Sequence, residues 1–172
     1  MRIIAGEWGG RRLEAPKGRI VRPTSDRARE AWMSIVHPLL PGARVLDLYA
    51  GTGALGLEAL SRGAAFVDFV ERSASVARVL ERNVAALGAG PRCAVHVADA
   101  LRFLATPGGR PRYDVAFADP PYGTDDAERL VRAWLAAPFA AVLGVEHDAT
   151  RPLPDGGDAR RYGDTGITLY RV

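Results

Sequence analysis

From Ala43 onward, short apolar runs alternate with stretches in which apolar residues recur at helical spacing. Val45–Leu48, Phe66–Val70, Cys93–Val97, Tyr113–Ala118 and Phe139–Val145 read as buried strands. Helices are predicted over Ala54–Ser61, Ala74–Leu87 and Asp125–Ala136, with a short one between Asp99 and Leu104. Val76, Val79, Leu80, Val84 and Leu87 share one side of the second helix, and Gly63 and Gly88 stop the first two. Thr106–Pro111 reads as a glycine-proline loop, and Arg160–Tyr162 and Gly166–Arg171 as a closing pair of strands. Strands separated by helices of this length need crossover connections, hence a mostly parallel sheet covered on both faces. With the closing pair, the count is a seven-stranded α/β sheet.

Upstream the pattern changes. Residues 2–6 and 11–14 are predicted as the two strands of a hairpin turning at Glu7-Trp8-Gly9-Gly10. Lys17–Thr24 is an irregular basic link. Thr24, Ser25 or Asp26 can cap the helix that follows, whose buried face is read as Ala28, Ala31, Trp32, Ile35 and Val36. Trp32 is assigned to the core rather than to base stacking. Pro38 and Pro41-Gly42 close the helix, so an extension over residues 1–42 precedes a main domain over 43–172.

The 172 residues, 48% hydrophobic and 25% charged, are those of an ordinary globular chain. No window reaches the apolar length of a membrane span, and Met1-Arg2-Ile3-Ile4-Ala5-Gly6 lacks the core of a signal peptide. Cys93 is the single cysteine, so an intrachain disulfide is impossible and a reducing cytoplasm is expected. His37, His96 and His147 are scattered without zinc-site spacing, and no metal is expected. The net charge of +3 is unevenly placed: residues 1–30 hold eight basic and four acidic residues, the rest 15 and 16. This arm is either a solvated surface or a phosphate-binding face, with Arg11, Arg12, Lys17, Arg22 and Thr24 as candidate RNA contacts.

The candidate chemistry lies where strands end. Asp47 leads into Gly51-x-Gly53-x-x-Gly56, a glycine turn between strand and helix that fits a nucleotide cofactor. Glu71, Asp99 and Asp119 also stand at strand ends, and ligands in parallel sheets bind at the carboxyl edge. Any one acid there can be a helix cap; four beside a glycine turn suggest a site. Glu71 is 20 residues beyond Gly51, a spacing suited to a ribose diol in NAD or in another adenosine cofactor. Asp47 would repel a pyrophosphate but suits an ammonium, and Asp99-Ala100 suits an adenine edge. Together these favour S-adenosylmethionine, with Asp47, Tyr49, Ala50, Gly51, Gly53, Glu71, Arg72, Asp99 and Ala100 as the candidate cofactor residues.

Asp119-Pro120-Pro121-Tyr122 follows the fourth strand and resembles the motif of methyltransferases acting on exocyclic base amines. An aryl amine is a poor nucleophile because its lone pair is delocalised. The Asp119 carboxylate and the Pro120 carbonyl can each accept one amine hydrogen, two prolines fix their positions, and Tyr122 can stack on the base. The bland reading is a rigid turn with Tyr122 in the core. The tetrapeptide does not distinguish guanine from adenine, so adenine-N6 methylation of RNA or DNA stays open. An NAD-dependent oxidoreductase and a non-catalytic RNA-binding module are the competing classes.

Arg2-Ile3-Ile4-Ala5-Gly6, Arg22-Pro23-Thr24-x-Asp26, Arg29-Glu30-Ala31, the run Asp47–Ala64 and Asp119–Tyr122 together resemble the bacterial RsmD family, in order along essentially the whole chain. The resemblance implies a Rossmann-like class I S-adenosylmethionine-dependent methyltransferase with an antiparallel closing strand and an N-terminal β-hairpin and helix extension. It further implies methylation of the N2 amine of one guanine in 16S rRNA, position 966 in the family. The implied partner is the small ribosomal subunit or its assembly intermediate, and a monomer is expected. The chain departs from the family at Met33-Ser34, where a Phe-Asn pair is usual, and in the short proline-rich segment 149–157.

Overall fold

In the computed structural model the described residues are 1–16, 26–106 and 112–172. The link Lys17–Thr24, the Ser25 cap, loop residues 107–111 and the side chains of residues 26–28 lie outside them. The elements run α1 (Asp26–Val36), β1 (Arg44–Leu48), α2 (Ala54–Ser61), β2 (Phe66–Glu71), α3 (Ala74–Leu87), β3 (Cys93–Val97) and α4 (Ala100–Ala105). They continue with β4 (Tyr113–Ala118), α5 (Asp126–Ala136), β5 (Ala140–Asp148), β6 (Asp158–Tyr162) and β7 (Thr165–Arg171).

One seven-stranded sheet has the order β3-β2-β1-β4-β5-β7-β6, with β7 antiparallel to both its neighbours and the other pairings parallel. The chain starts in the middle at β1, runs outward to β3, and returns to β4 on the other side of β1. That reversal opens a crevice at the carboxyl ends of β1 and β4. Side chains alternate between faces. Val45, Val67, Phe69, Val115 and Phe117 face a core closed by α1–α3 and the N-terminal segment, while Leu46, Leu48, Val70, Ala116 and Leu143 face α4 and α5.

The central elements match the apolar pattern closely. Three features differ. Residues 2–6 and 11–14 do not form strands: the chain reverses, but among the described residues the only bridge there is Arg2 with Arg12. Its backbone is satisfied partly across the reversal, with the Ile3 N–H on the Arg11 carbonyl, the Gly10 N–H on the Ile3 carbonyl and the Leu13 N–H on the Met1 carbonyl, and partly by α2. The fully buried Glu58 carboxylate accepts the Ile4 N–H at 2.7 Å and the Ala5 N–H at 3.0 Å, and pairs with Arg62 Nε at 2.7 Å. Ser61 Oγ accepts the Trp8 N–H and donates to the Ala5 carbonyl.

Helix α1 is also rotated from the expected face. Arg29, Trp32, Met33 and Val36 are buried, whereas Ala31 and Ile35 are only half-buried. Trp32 packs edge-on against Phe117 of β4, with ring centroids 5.5 Å apart. Arg29 Nη2 donates to the Arg2 carbonyl. Met33 is therefore a core residue, and Ser34 is exposed with its hydroxyl on the Glu30 carbonyl. Finally, β5 continues past Val145 to Asp148 because β7 pairs with its whole second half, Asp148 opposite Thr165.

Glu58 carries two backbone amides and a guanidinium in a buried setting. Glu58→Ala is expected to lower stability by about 3 kcal/mol, since it leaves buried donors and a cation unpaired. Urea unfolding measures this, and a loss within experimental error would show that the N-terminal segment is held without the Glu58 carboxylate.

Candidate active site

The turn after β1 is shaped by left-handed backbone. Tyr49, a non-glycine residue, sits at φ 60°, and Gly53 caps α2 at φ 84°. A side chain on Gly53 would collide with Leu80, and one on Gly56 with Phe69 and the Asp47 carboxylate, so α2 can approach the sheet only where glycine stands. Around Gly51 the nearest atom to an added Cβ would be the Tyr49 carbonyl oxygen at 4.0 Å, so this glycine faces open space. The turn is tied to its surroundings by the Ala50 N–H on the Val70 carbonyl and by Asn83 Nδ2 on the Thr52 carbonyl at 3.0 Å. Asn83 also exchanges hydrogen bonds with the Glu14 backbone, so one buried amide joins the glycine turn to the N-terminal segment.

Asp47 lies inside β1 rather than after it, 2% exposed, and its Oδ2 accepts the Gly56 N–H at 2.8 Å. Burial pushes its carboxyl up to about 7; the Gly56 N–H opposes the shift, and repulsion from Asp119 and Glu71 adds to it. Asp119 and Glu71 thus both lie near enough to Asp47 for their charges to act on it. Glu71 has a use not foreseen from its spacing: Oε2 accepts the Gly51 N–H at 3.0 Å and Oε1 the Ser73 N–H at 2.7 Å. It braces the glycine turn, and each oxygen keeps a second lone pair for a ligand. Asp99 caps α4, its Oδ1 accepting the Arg102 N–H, so the helix-cap reading holds for it and only the remaining acceptor capacity is left for a ligand. Ala100 is buried and Arg72 exposed. The Tyr49 phenol is half-buried; burial first, then the Asp126 and Asp99 charges, push its pKa up.

Opposite stands the tetrapeptide. Leu48 of β1 pairs with Ala118 of β4, which sets Asp119 directly beside the start of the glycine turn. Pro120 is buried, Pro121 exposed, and Asp119 and Tyr122 half-buried. Tyr122 is not a core residue: it lines a small cleft of about 40 Å³ with Pro120, Pro121, Glu146, Arg151 and Leu153. Its hydroxyl lies 3.3 Å from Glu146 Oε1 and 3.2 Å from Thr165 Oγ1. Burial, opposed by Thr165 and aided by Glu146 and Asp119, pushes the phenol up to about 12. The proline-rich segment 149–157 closes the cleft edge, where Arg151 donates to the Thr124 carbonyl and to Asp125. Glu146 was missed in the sequence, although it directly follows the fifth predicted strand, as the other acids follow theirs.

The basic arm is only partly a free cationic surface. Arg11 and Arg12 are exposed, but Arg11 Nη2 donates to the Ala86 carbonyl near the end of α3 at 2.7 Å. Lys17, Arg22 and Thr24 lie outside the described residues. Glu7 and Glu14 are paired with Arg92 and Arg82, so arginines from other elements join this surface.

The raised carboxyl of Asp47 has a stability consequence. Between about 4 and 7 the folded chain keeps a proton there that the unfolded chain releases, so this group makes stability fall as pH rises through that window. Asp47→Asn keeps an acceptor for Gly56 and cannot titrate. Its melting temperature is expected to gain on the wild type from pH 4 to pH 8, and a difference that is flat with pH would show that Asp47 is already charged at low pH.

The family model described as "Conserved hypothetical protein 95" matches residues 1–171. Ribosomal RNA small subunit methyltransferase D of Haemophilus influenzae is 35% identical over 100% of this chain and 92% of its own length. Its Escherichia coli K12 namesake is 38% identical over 90% of this chain and 78% of its own. The solved structure of a hypothetical protein from a Thermus species is similar with a TM-score of 0.85 and 31% identity, covering 100% of this chain and 99% of that one. A glycine turn and an Asp-Pro-Pro-Tyr loop face each other across adjacent strand ends, and the family match spans nearly every residue: the chain belongs to the RsmD family of ribosomal RNA small subunit methyltransferases.

Proposed function

We propose that this protein methylates the exocyclic N2 amine of one guanine in 16S rRNA, the position-966 guanine of the family resemblance, on the small subunit or its assembly intermediate. The observation that carries the reading is the pairing of Leu48 with Ala118, which brings an ammonium-seeking carboxylate and an amine-accepting tetrapeptide to one crevice. S-adenosylmethionine is the cofactor. The residues fit it: a buried acid destabilised by its own burial and by two acid neighbours gains from a cationic ligand, and the space over Gly51 is open. Asp47 would take its ammonium, the backbone of Tyr49, Ala50, Gly51 and Gly53 its amino-acid end, Glu71 with Arg72 nearby its ribose, and Asp99 and Ala100 its adenine. When bound, it supplies a methyl group made electrophilic by the attached sulfonium.

The chain's own contribution is positioning and charge. The Asp119 carboxylate and Pro120 carbonyl accept the two amine hydrogens and turn the nitrogen lone pair out of conjugation. Asp119 also offsets the positive charge that develops on that nitrogen. Tyr122 supplies a face for a base lifted from its stack. The arginine surface around residues 7–14 would bind flanking phosphates without reading their sequence.

Asp119→Ala is expected to reduce methylation of small-subunit particles roughly a hundredfold or more, with cofactor affinity nearly unchanged. Nucleoside analysis of the product decides the base: N2-methylguanosine supports the reading, and N6-methyladenosine replaces it with adenine chemistry. Neutralising Arg11, Arg12 and Lys17 together should weaken RNA binding and flatten its salt dependence by roughly one slope unit for each phosphate no longer neutralised. An unchanged slope would place the RNA elsewhere.

A further inference from the structure

Tyr122 belongs to the loop between β4 and α5, outside any helix or strand. A stacking platform on such a segment needs its ring fixed by a side-chain anchor, because a ring free to change rotamer would present the base at many angles. The structure supplies one. Ala118 pairs with Val145, so Glu146 sits next to Asp119 across the β4–β5 ladder. Two strands further along the sheet order, Thr165 opens β7 opposite Asp148. The tetrapeptide leaves β4, crosses the end of β5, and delivers the Tyr122 hydroxyl to both residues.

We infer that Glu146 and Thr165 are positioning residues for the methyl transfer: they hold the Tyr122 hydroxyl and so set the plane against which the acceptor base stacks. This inference rests on the proposed reading of Tyr122 as that platform. Glu146 is 4% exposed, an unusual place for a carboxylate with no role beyond solvation. The phenol has one proton to give, and the Glu146 carboxyl oxygen is placed to accept it. With that single proton directed at Glu146, the phenol oxygen can accept from the Thr165 hydroxyl. With its pKa moved upward, the phenol keeps the proton it donates throughout the working range. The antiparallel closing strand thereby gains a task in the chemistry, since it carries one half of the anchor to the acceptor side.

The test is a double-mutant cycle read on small-subunit particles, with cofactor affinity measured in parallel. Tyr122→Phe keeps the ring and removes the hydroxyl, and Glu146→Ala and Thr165→Val remove its partners. Each is expected to lower kcat by up to roughly tenfold, the upper range for loss of one hydrogen bond, while cofactor affinity stays level. Glu146→Ala added to Tyr122→Phe should cost nothing more, and Glu146→Gln, which still accepts from the phenol, should recover most of the rate. Full activity in Tyr122→Phe, or losses that multiply in the double variant, overturns the anchor. Tyr122→Leu separates this from the underlying reading: if it is inactive while Tyr122→Phe is fully active, the platform stands and only the anchor falls. If Tyr122→Leu is itself fully active, the platform falls too. Glu146→Ala can fail to fold, and the Tyr122→Phe and Thr165→Val pair then closes the cycle.

Discussion

The Asp47 carboxylate accepts the Gly56 N–H from inside strand β1, and this bond joins the sheet, the glycine turn and helix α2 into one unit. Burying an acid is unfavourable unless something compensates it. One helix amide does so in part, and the remaining demand is what a cationic ligand would meet under the proposed reading. The same crowding explains the glycines: a Cβ on Gly56 would meet both that carboxylate and Phe69, so the helix could not dock and the bond could not form. Stability and binding thus pull against each other at this residue, as is common where a site needs a strained or desolvated group.

Helix α2 carries the consequences outward. Its first residues face the turn and its last turn grips the N-terminal segment through Glu58 and Ser61. Asn83 of α3 does the same from the other side, touching Thr52 of the turn and Glu14 of the segment. The extension is therefore anchored on the very elements that shape the cofactor side. A basic surface that begins there is held in register with the crevice by buried polar contacts rather than by a flexible tether.

The two halves of the site are stabilised differently. On the cofactor side, backbone amides hold carboxylates: Gly56 on Asp47, Gly51 and Ser73 on Glu71, Arg102 on Asp99. On the acceptor side, side chains hold a loop: two prolines, the Thr124 hydroxyl on the Pro121 carbonyl, Arg151 on Thr124 and Asp125, and Glu146 with Thr165 on Tyr122. The first arrangement is built once by strand and helix formation. The second depends on residues far apart in the chain, and substitutions distant from the tetrapeptide can reach it.

That difference also divides what is legible in the chain from what is not. Periodicity determined the central strands and helices nearly to the residue, because their apolar spacing reports local geometry and little else. The glycine turn, Asp47 and Asp119–Tyr122 were legible for the same reason: each is a short-range motif whose backbone demand is written in consecutive residues. The reversal of the N-terminal segment was legible too, but its docking was not, since the Ile4, Ala5 and Trp8 amides are taken by Glu58 and Ser61 more than fifty positions away, and nothing local signals that. The face of α1 turned toward Arg29 and Met33, and Arg29 reaches the carbonyl of Arg2, a contact that no local pattern signals. Glu146 and Thr165 gained their place only when β5 and β7 paired. Sequence by itself determined which groups are candidates for chemistry; the tertiary structure decided which of them meet, because strand order and register are set by packing between segments that share no local pattern.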